Sequence, residues 1–76
     1  MTKQEFCEIL KNELGESNPI NPETNFKELD SFGSLSFVLV MQLIEDHFKI
    51  KINPRELRSI KTVNDIALKI GEEQFN

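Results

Sequence analysis

The chain has 76 residues, a formal net charge of −4, and 38% hydrophobic against 29% charged residues. A chain this short is expected to form a single domain over 1–76, and it buries only roughly 60% of its unfolded surface, which leaves little room for a deep catalytic cavity. The acidic balance and the lack of a basic run make nucleic acid and anionic membrane poor partners, because both require clustered Lys or Arg.

Cys7 is the only cysteine, so neither an internal disulfide nor a cysteine-based metal site is expected, and a reducing compartment fits best. The start of the chain, Met1-Thr2-Lys3-Gln4-Glu5, has no apolar signal core, and no apolar run approaches membrane-spanning length. The expectation is a cytoplasmic monomer with no membrane partner.

The first element opens on a capping box. The Thr2 hydroxyl can accept from a free backbone N–H while Glu5 reaches back. Phe6, Ile9, Leu10 and Leu14 follow at helical spacing, and Gly15 supplies the residue that tolerates a left-handed backbone past a helix end. These signals predict a helix from Lys3 to Leu14. Glu16 to Gly33 is different: Asn18-Pro19, Asn21-Pro22, Ser17, Thr24 and Asp30-Ser31 are breaker signals. A loop this long has to hold itself down. Ile20, Phe26, Leu29 and Phe32 are the expected anchors.

Ser34 to Phe48 carries the strongest helical pattern. Leu35, Val38, Met41 and Ile44 or Gln42 define one face. Phe37, Leu39, Val40 and Leu43 make the helix apolar almost all round, whereas a surface helix normally has a polar back. The expected core is Phe6, Leu10, Leu14, Phe26, Leu35, Val38, Met41, Phe48, Ile52, Val63, Ile66 and Ile70. By phase, Phe37, Leu39 and Val40 are the residues left facing outward. The alternative is that the long loop folds over them and enlarges the core.

Lys49-Ile50-Lys51-Ile52 alternates like a strand but has no partner strand, so it reads as a link that inserts its two isoleucines into the core. Asn53-Pro54-Arg55-Glu56 is a second helix start, with Asn53 as cap and Pro54 at the first helical position. That helix is short and ends near Ser59. Thr62-Val63-Asn64-Asp65 opens a last helix through Ile66 and Ile70, reaching toward Phe75. The fold class is therefore all-α: a four-helix bundle with a long loop between helices 1 and 2 and a short third helix.

Little of this supports catalysis. His47, the only histidine, reads as an exposed residue at a helix C-terminus, where a cation suits the dipole. It lies 13 residues from Ser34, about 20 Å at helical rise, too far for a serine–histidine pair. Glu45 and Asp46 are adjacent on a helix and point apart, so they read as solvated or partner-facing charges. Cys7 reads as core packing, because a reactive thiol wants nearby positive charge.

The stretch from Phe26 to Phe48, with Ser34-Leu35 opening an apolar helix that ends in Glu45-Asp46 and Phe48, resembles acyl carrier proteins. So do the Ile50-Lys51-Ile52 link and the Thr62-Val63-Asn64-Asp65 opening, and the match runs without gaps to about Ile70. The resemblance implies a phosphoprotein that carries an acyl intermediate, as in fatty acid biosynthesis and lipid metabolism. The cargo would be a thioester on a 4′-phosphopantetheine arm attached to a serine. Implied partners are a phosphopantetheinyl transferase and acyl-loading and acyl-processing enzymes, with Leu35, Phe37, Leu39, Glu45 and Asp46 as partner-binding residues. The chain would catalyse nothing itself.

Two serines compete for the arm. Ser34 lies eight residues after Phe26 and fourteen before Phe48, as in the family, whereas Ser31 lies five after and seventeen before. Asp30-Ser31-Phe32-Gly33 nevertheless resembles the modification site of D-alanyl carrier proteins, so Ser31 stays as the alternative. A serine at a helix N-terminus suits a phosphodiester, because backbone N–H groups and the dipole favour negative charge there. The chain departs from the family pattern twice. Gly33 stands where the family usually has Asp, and Ser36 and Leu39 replace acids early in helix 2. An aminoacyl or peptidyl carrier, or an unmodified helical adaptor working through the apolar helix, are the competing functions.

Overall fold

The computed structural model describes residues 1–75. Four α-helices are joined by loops and two short 3₁₀ turns: α1 (Lys3–Leu14), α2 (Ser36–Phe48), α3 (Pro54–Leu57) and α4 (Val63–Ile70). Among the described residues there is no strand.

Three of the helices begin at the predicted start signals, each of which forms a capping box. Thr2, Asn53 and Thr62 accept from the N–H groups of Glu5, Glu56 and Asp65 at 3.0, 2.8 and 3.0 Å, and those acids reach back to the cap N–H. Each box satisfies two of the donors that a helix start leaves unpaired. α1 ends at Gly15, whose φ of 72° is left-handed. Lys49 closes α2 in the same region, at φ 59°, with its N–H donating to the Glu45 carbonyl at 2.9 Å. α4 stops at Ile70, and Phe75 lies beyond it after the turn Glu72–Gln74, not within the helix.

α1 packs on α2 and α4, and α2 also packs on α3. Phe6, Cys7 and Leu10 of α1, Val40, Leu43 and Ile44 of α2, Leu57 of α3, and Val63, Ile66 and Ala67 of α4 build one core with Ile20, Phe26, Ile52, Ile60 and Phe75. Phe6, Phe48 and Phe75 form an aromatic cluster with centroids 4.9 to 6.1 Å apart. Cys7 is inert here: burial pushes its thiol up to about 11.

The long loop is pinned at several points. Ile20 and Phe26 are fully buried, and Leu29 and Phe32 pack half-buried against the core. The Phe26 N–H donates to the Lys61 carbonyl and the Asn64 N–H to the Pro22 carbonyl, both at 3.0 Å. The Lys27 ammonium donates to the carbonyls of Leu57 and Arg58 at 2.7 and 3.1 Å, closing the C-terminal end of α3. The link 49–53 inserts Ile52 fully and Ile50 partly.

The buried face of α2 differs from the expected one. Leu35 and Val38, expected in the core, are 81% and 58% exposed, while Val40, expected outside, is fully buried. The buried set is Ser36, Val40, Leu43 and Ile44, a helical stripe of spacings four, three and one. A helix that is apolar nearly all round has no polar back to mark its phase. Leu14, Met41, Phe48 and Ile70 were also expected inside, and they sit half-buried at the core rim. The long loop covers part of α2: the Phe32 ring meets Phe37 edge-on at 5.0 Å and lies against Phe26 at 5.8 Å.

Candidate functional site

Ser34 stands in the turn that leads into α2, exposed to solvent. The Ser36 N–H donates to the Gly33 carbonyl at 3.0 Å, and the Gly33 N–H donates to Ser36 Oγ at 2.9 Å. This reciprocal pair makes a tight turn of residues 33–36 and delays the helix. α2 therefore starts at Ser36 rather than at Ser34 as expected. Its cap is Leu35, which has no side-chain acceptor and makes no capping bond. The first turn contains no acid. The positive dipole end of α2 thus lies beside Ser34 with no side-chain cap and no acid in its first turn.

Ser31 is held differently. It is half-buried, and its hydroxyl donates to Glu16 Oε1 at 2.6 Å. Glu16 also accepts from the Asn18 N–H at 3.0 Å. The Ser31 bond, with the Asn18 one behind it, holds the Glu16 carboxyl below the usual glutamate range. This serine stitches the loop to the end of α1. At Gly33, an added Cβ would meet nothing within 4 Å, so the approach to Ser34 from that side is open.

The residues expected to bind partners are spread over α2. Leu35 is exposed, Phe37 is 38% exposed and braced by Phe32 and Lys27, and Leu39 is half-buried against the core. Asp46 is exposed and accepts from Gln42 Nε2 at 2.8 Å. Glu45 turns instead into a cleft of about 550 Å³ between α2 and the 51–56 segment. Val38, Met41, Ile52 and Pro54 form its apolar wall, and Gln42, Lys51 and Glu56 are among its polar residues. The cleft was not foreseen, because Val38 and Met41 were assigned to the core. Its trace in the sequence is the stripe Ser34, Val38, Met41 and Glu45, which repeats every three or four residues and mixes apolar with polar groups. His47 is exposed, with its ring edge-on to Phe6 at 6.4 Å.

A small helical domain with an accessible serine ahead of an uncapped helix has the form of a covalently loaded carrier. The family model described as "Phosphopantetheine attachment site" matches residues 4–70, and the chain belongs to that family. Comparison with curated proteins and with solved structures gives no significant match. The protein is a phosphopantetheine-carrying carrier protein, its group covalent 4′-phosphopantetheine, and domains of this family carry rather than catalyse. Its general partners are a phosphopantetheinyl transferase and the enzymes that process the cargo. Among the described residues no helix is long and apolar enough to cross a membrane.

Proposed function

We propose that the chain is an acyl carrier protein with Ser34 as its attachment residue. The observation that carries this reading is the contrast between the two serines. Ser34 is exposed beside an uncapped, acid-free helix start, while Ser31 is half-buried and its proton is given to Glu16. A transferase needs a hydroxyl it can reach, and a phosphodiester needs donors to receive it. The start of α2 offers both, so the residues present fit the group. Bound there, phosphopantetheine supplies a terminal thiol that holds a cargo as a thioester.

An acyl cargo is favoured over an aminoacyl one by the cleft beside α2. Val38 is one turn beyond Ser34, and with Met41, Ile52 and Pro54 it offers apolar surface along the same side of the helix. An aliphatic chain gains about 0.8 kcal/mol for each CH₂ it buries on such a wall. A charged aminoacyl group gains little there. Glu45, Lys51 and Glu56 sit where they meet water or a partner.

The test is intact-mass measurement after incubation with coenzyme A and a broad-specificity transferase. The parent and Ser31→Ala should each gain one phosphopantetheine, and Ser34→Ala none. Modification of Ser34→Ala but not of Ser31→Ala would move the site to Ser31. No gain by the parent would favour the adaptor reading.

A further inference from the structure

The chain is acidic overall, but its charge is not evenly spread. Between Lys49 and Lys69 stand the six cations Lys49, Lys51, Arg55, Arg58, Lys61 and Lys69 against two acids, Glu56 and Asp65; the rest of the chain has three lysines and eleven acids. Both acids of the basic stretch are already engaged. Glu56 pairs with Lys69 at 3.2 Å, and Asp65 accepts from the N–H groups of Lys61 and Thr62 at 2.9 and 3.2 Å. Arg55 and Arg58 are exposed, and the ion pairs among the described residues, Lys3–Glu72 and Lys69–Glu56, do not use them. They line a common cleft of about 430 Å³ with Asn53 and Pro54.

Lys27 links the end of α3 to Phe37 near the start of α2. The Lys27 ammonium lies 5.4 Å from the centre of the Phe37 ring and 3.1 Å from the Arg58 carbonyl, so it joins the two. Neighbouring Lys61 adds to the positive field at Lys27, which burial and that charge together hold below the usual lysine range. The result is an exposed aromatic edge joined through Lys27 to the end of α3, beside the exposed Arg55 and Arg58, on a chain that is acidic overall.

We propose that this face, Phe37 with Lys27, Arg55, Arg58 and Lys61, docks a protein surface whose clustered carboxylates border an apolar spot. Resting on the carrier reading, this assigns such a surface to one of the enzymes that serve the carrier. Two exposed guanidinium groups offer planar forks that match carboxylates in pairs. The chain as a whole carries thirteen acids against nine lysines and arginines. An extended polyanion, whether a nucleic acid duplex or an anionic bilayer, would meet those acids as well, so a compact acidic patch is the better fit.

The test uses the whole chain in its unmodified form, confirmed by intact mass, so that it stays independent of where the arm is attached. Isotope-labelled protein is titrated with hexaglutamate peptide, and amide shifts are followed by NMR, with hexalysine, a short DNA duplex and phosphatidylserine vesicles as parallel probes. Hexaglutamate should shift the amides around Lys27, Phe37 and residues 54–61. The shifts should vanish near 1 M salt, where the screening length falls to about 3 Å. Arg55→Glu with Arg58→Glu should weaken the binding by about tenfold or more while the helical circular dichroism is retained. If that variant unfolds, Arg55→Gln with Arg58→Gln should weaken it in the same direction. Absence of shifts, shifts centred elsewhere, or tighter binding of DNA or vesicles than of hexaglutamate would overturn the proposal.

Discussion

Ser34, Gly33 and Ser36 show how three neighbouring residues divide the labour of one turn. Ser36 uses its hydroxyl to bind the Gly33 N–H and is buried doing so. That leaves the Ser34 side chain without a structural duty and leaves the helix start without a cap. Gly33 is not there for conformational reasons: its φ is not in the left-handed region, and the space around it is open. An acid at this position is therefore sterically free, and a negative charge just before a helix start is favourable by about 0.3–1 kcal/mol. Gly33→Asp should fold at least as stably as the parent and gain phosphopantetheine faster with a housekeeping transferase. Initial rates of coenzyme A-dependent mass gain measure this. A rate equal to or below the parent's would mean that recognition does not read this position.

At the scale of the element, α2 carries two jobs on opposite sides. Val40, Leu43 and Ile44 bury one side, while Leu35 and Val38 stay open near Ser34. A pair of substitutions separates the sides. Val40→Glu would place a carboxylate among fully buried residues, at a cost that can remove most of the stability of a domain of this size, roughly 4–11 kcal/mol. Val38→Glu should leave the melting temperature close to that of the parent while slowing transfer to a cognate processing enzyme, since an exposed apolar patch beside the proposed attachment serine reads as a contact surface. Leu39, packed half-buried against the core, should fall between them, with Leu39→Glu lowering the melting temperature measurably. Thermal melts of the three variants decide the order. Equal melting temperatures for Val38→Glu and Val40→Glu would refute the assignment of faces.

Across the whole molecule, stability rests on one core closed at its base by phenylalanines from three parts of the chain. Phe6 is fully buried between Phe48 and Phe75, whereas Phe48 is only half-buried. Phe6→Ala should therefore cost about 3–5 kcal/mol, and Phe48→Ala less, read as denaturation midpoints. Acid should also destabilise the fold. Glu5, Glu16 and Glu56 are all held below the ordinary value of 4.5, chiefly by backbone hydrogen bonds at Thr2 and Asn53 and, for Glu16, by the Ser31 hydroxyl. In that range the unfolded chain binds protons that the folded chain refuses, so stability is fully present above the ordinary value and falls as pH drops through the folded values. Melting temperature against pH should decline below about pH 5, and Glu56→Gln should flatten the decline by removing one of the carboxyls whose folded value is lowered.

Local chemistry was legible wherever a residue's role depends on its neighbours in sequence. The three helix starts at Thr2, Asn53 and Thr62, Gly15 as the end of α1, the isoleucine link and the anchoring of the loop through Ile20 and Phe26 were all read from short sequence patterns. The proposal of Ser34 over Ser31 rests on spacing too, and the Glu16 bond that occupies Ser31 supports it. What the sequence did not contain was the rotation of α2. A helix with apolar groups on nearly every side is compatible with several buried faces. The choice of Val40 over Val38 was made by where α1, α3 and the Phe32 end of the loop come to rest. The cleft under Val38 and the joining of Arg58 to Phe37 through Lys27 have the same origin: each needs groups from distant parts of the chain, and only tertiary packing brings those together.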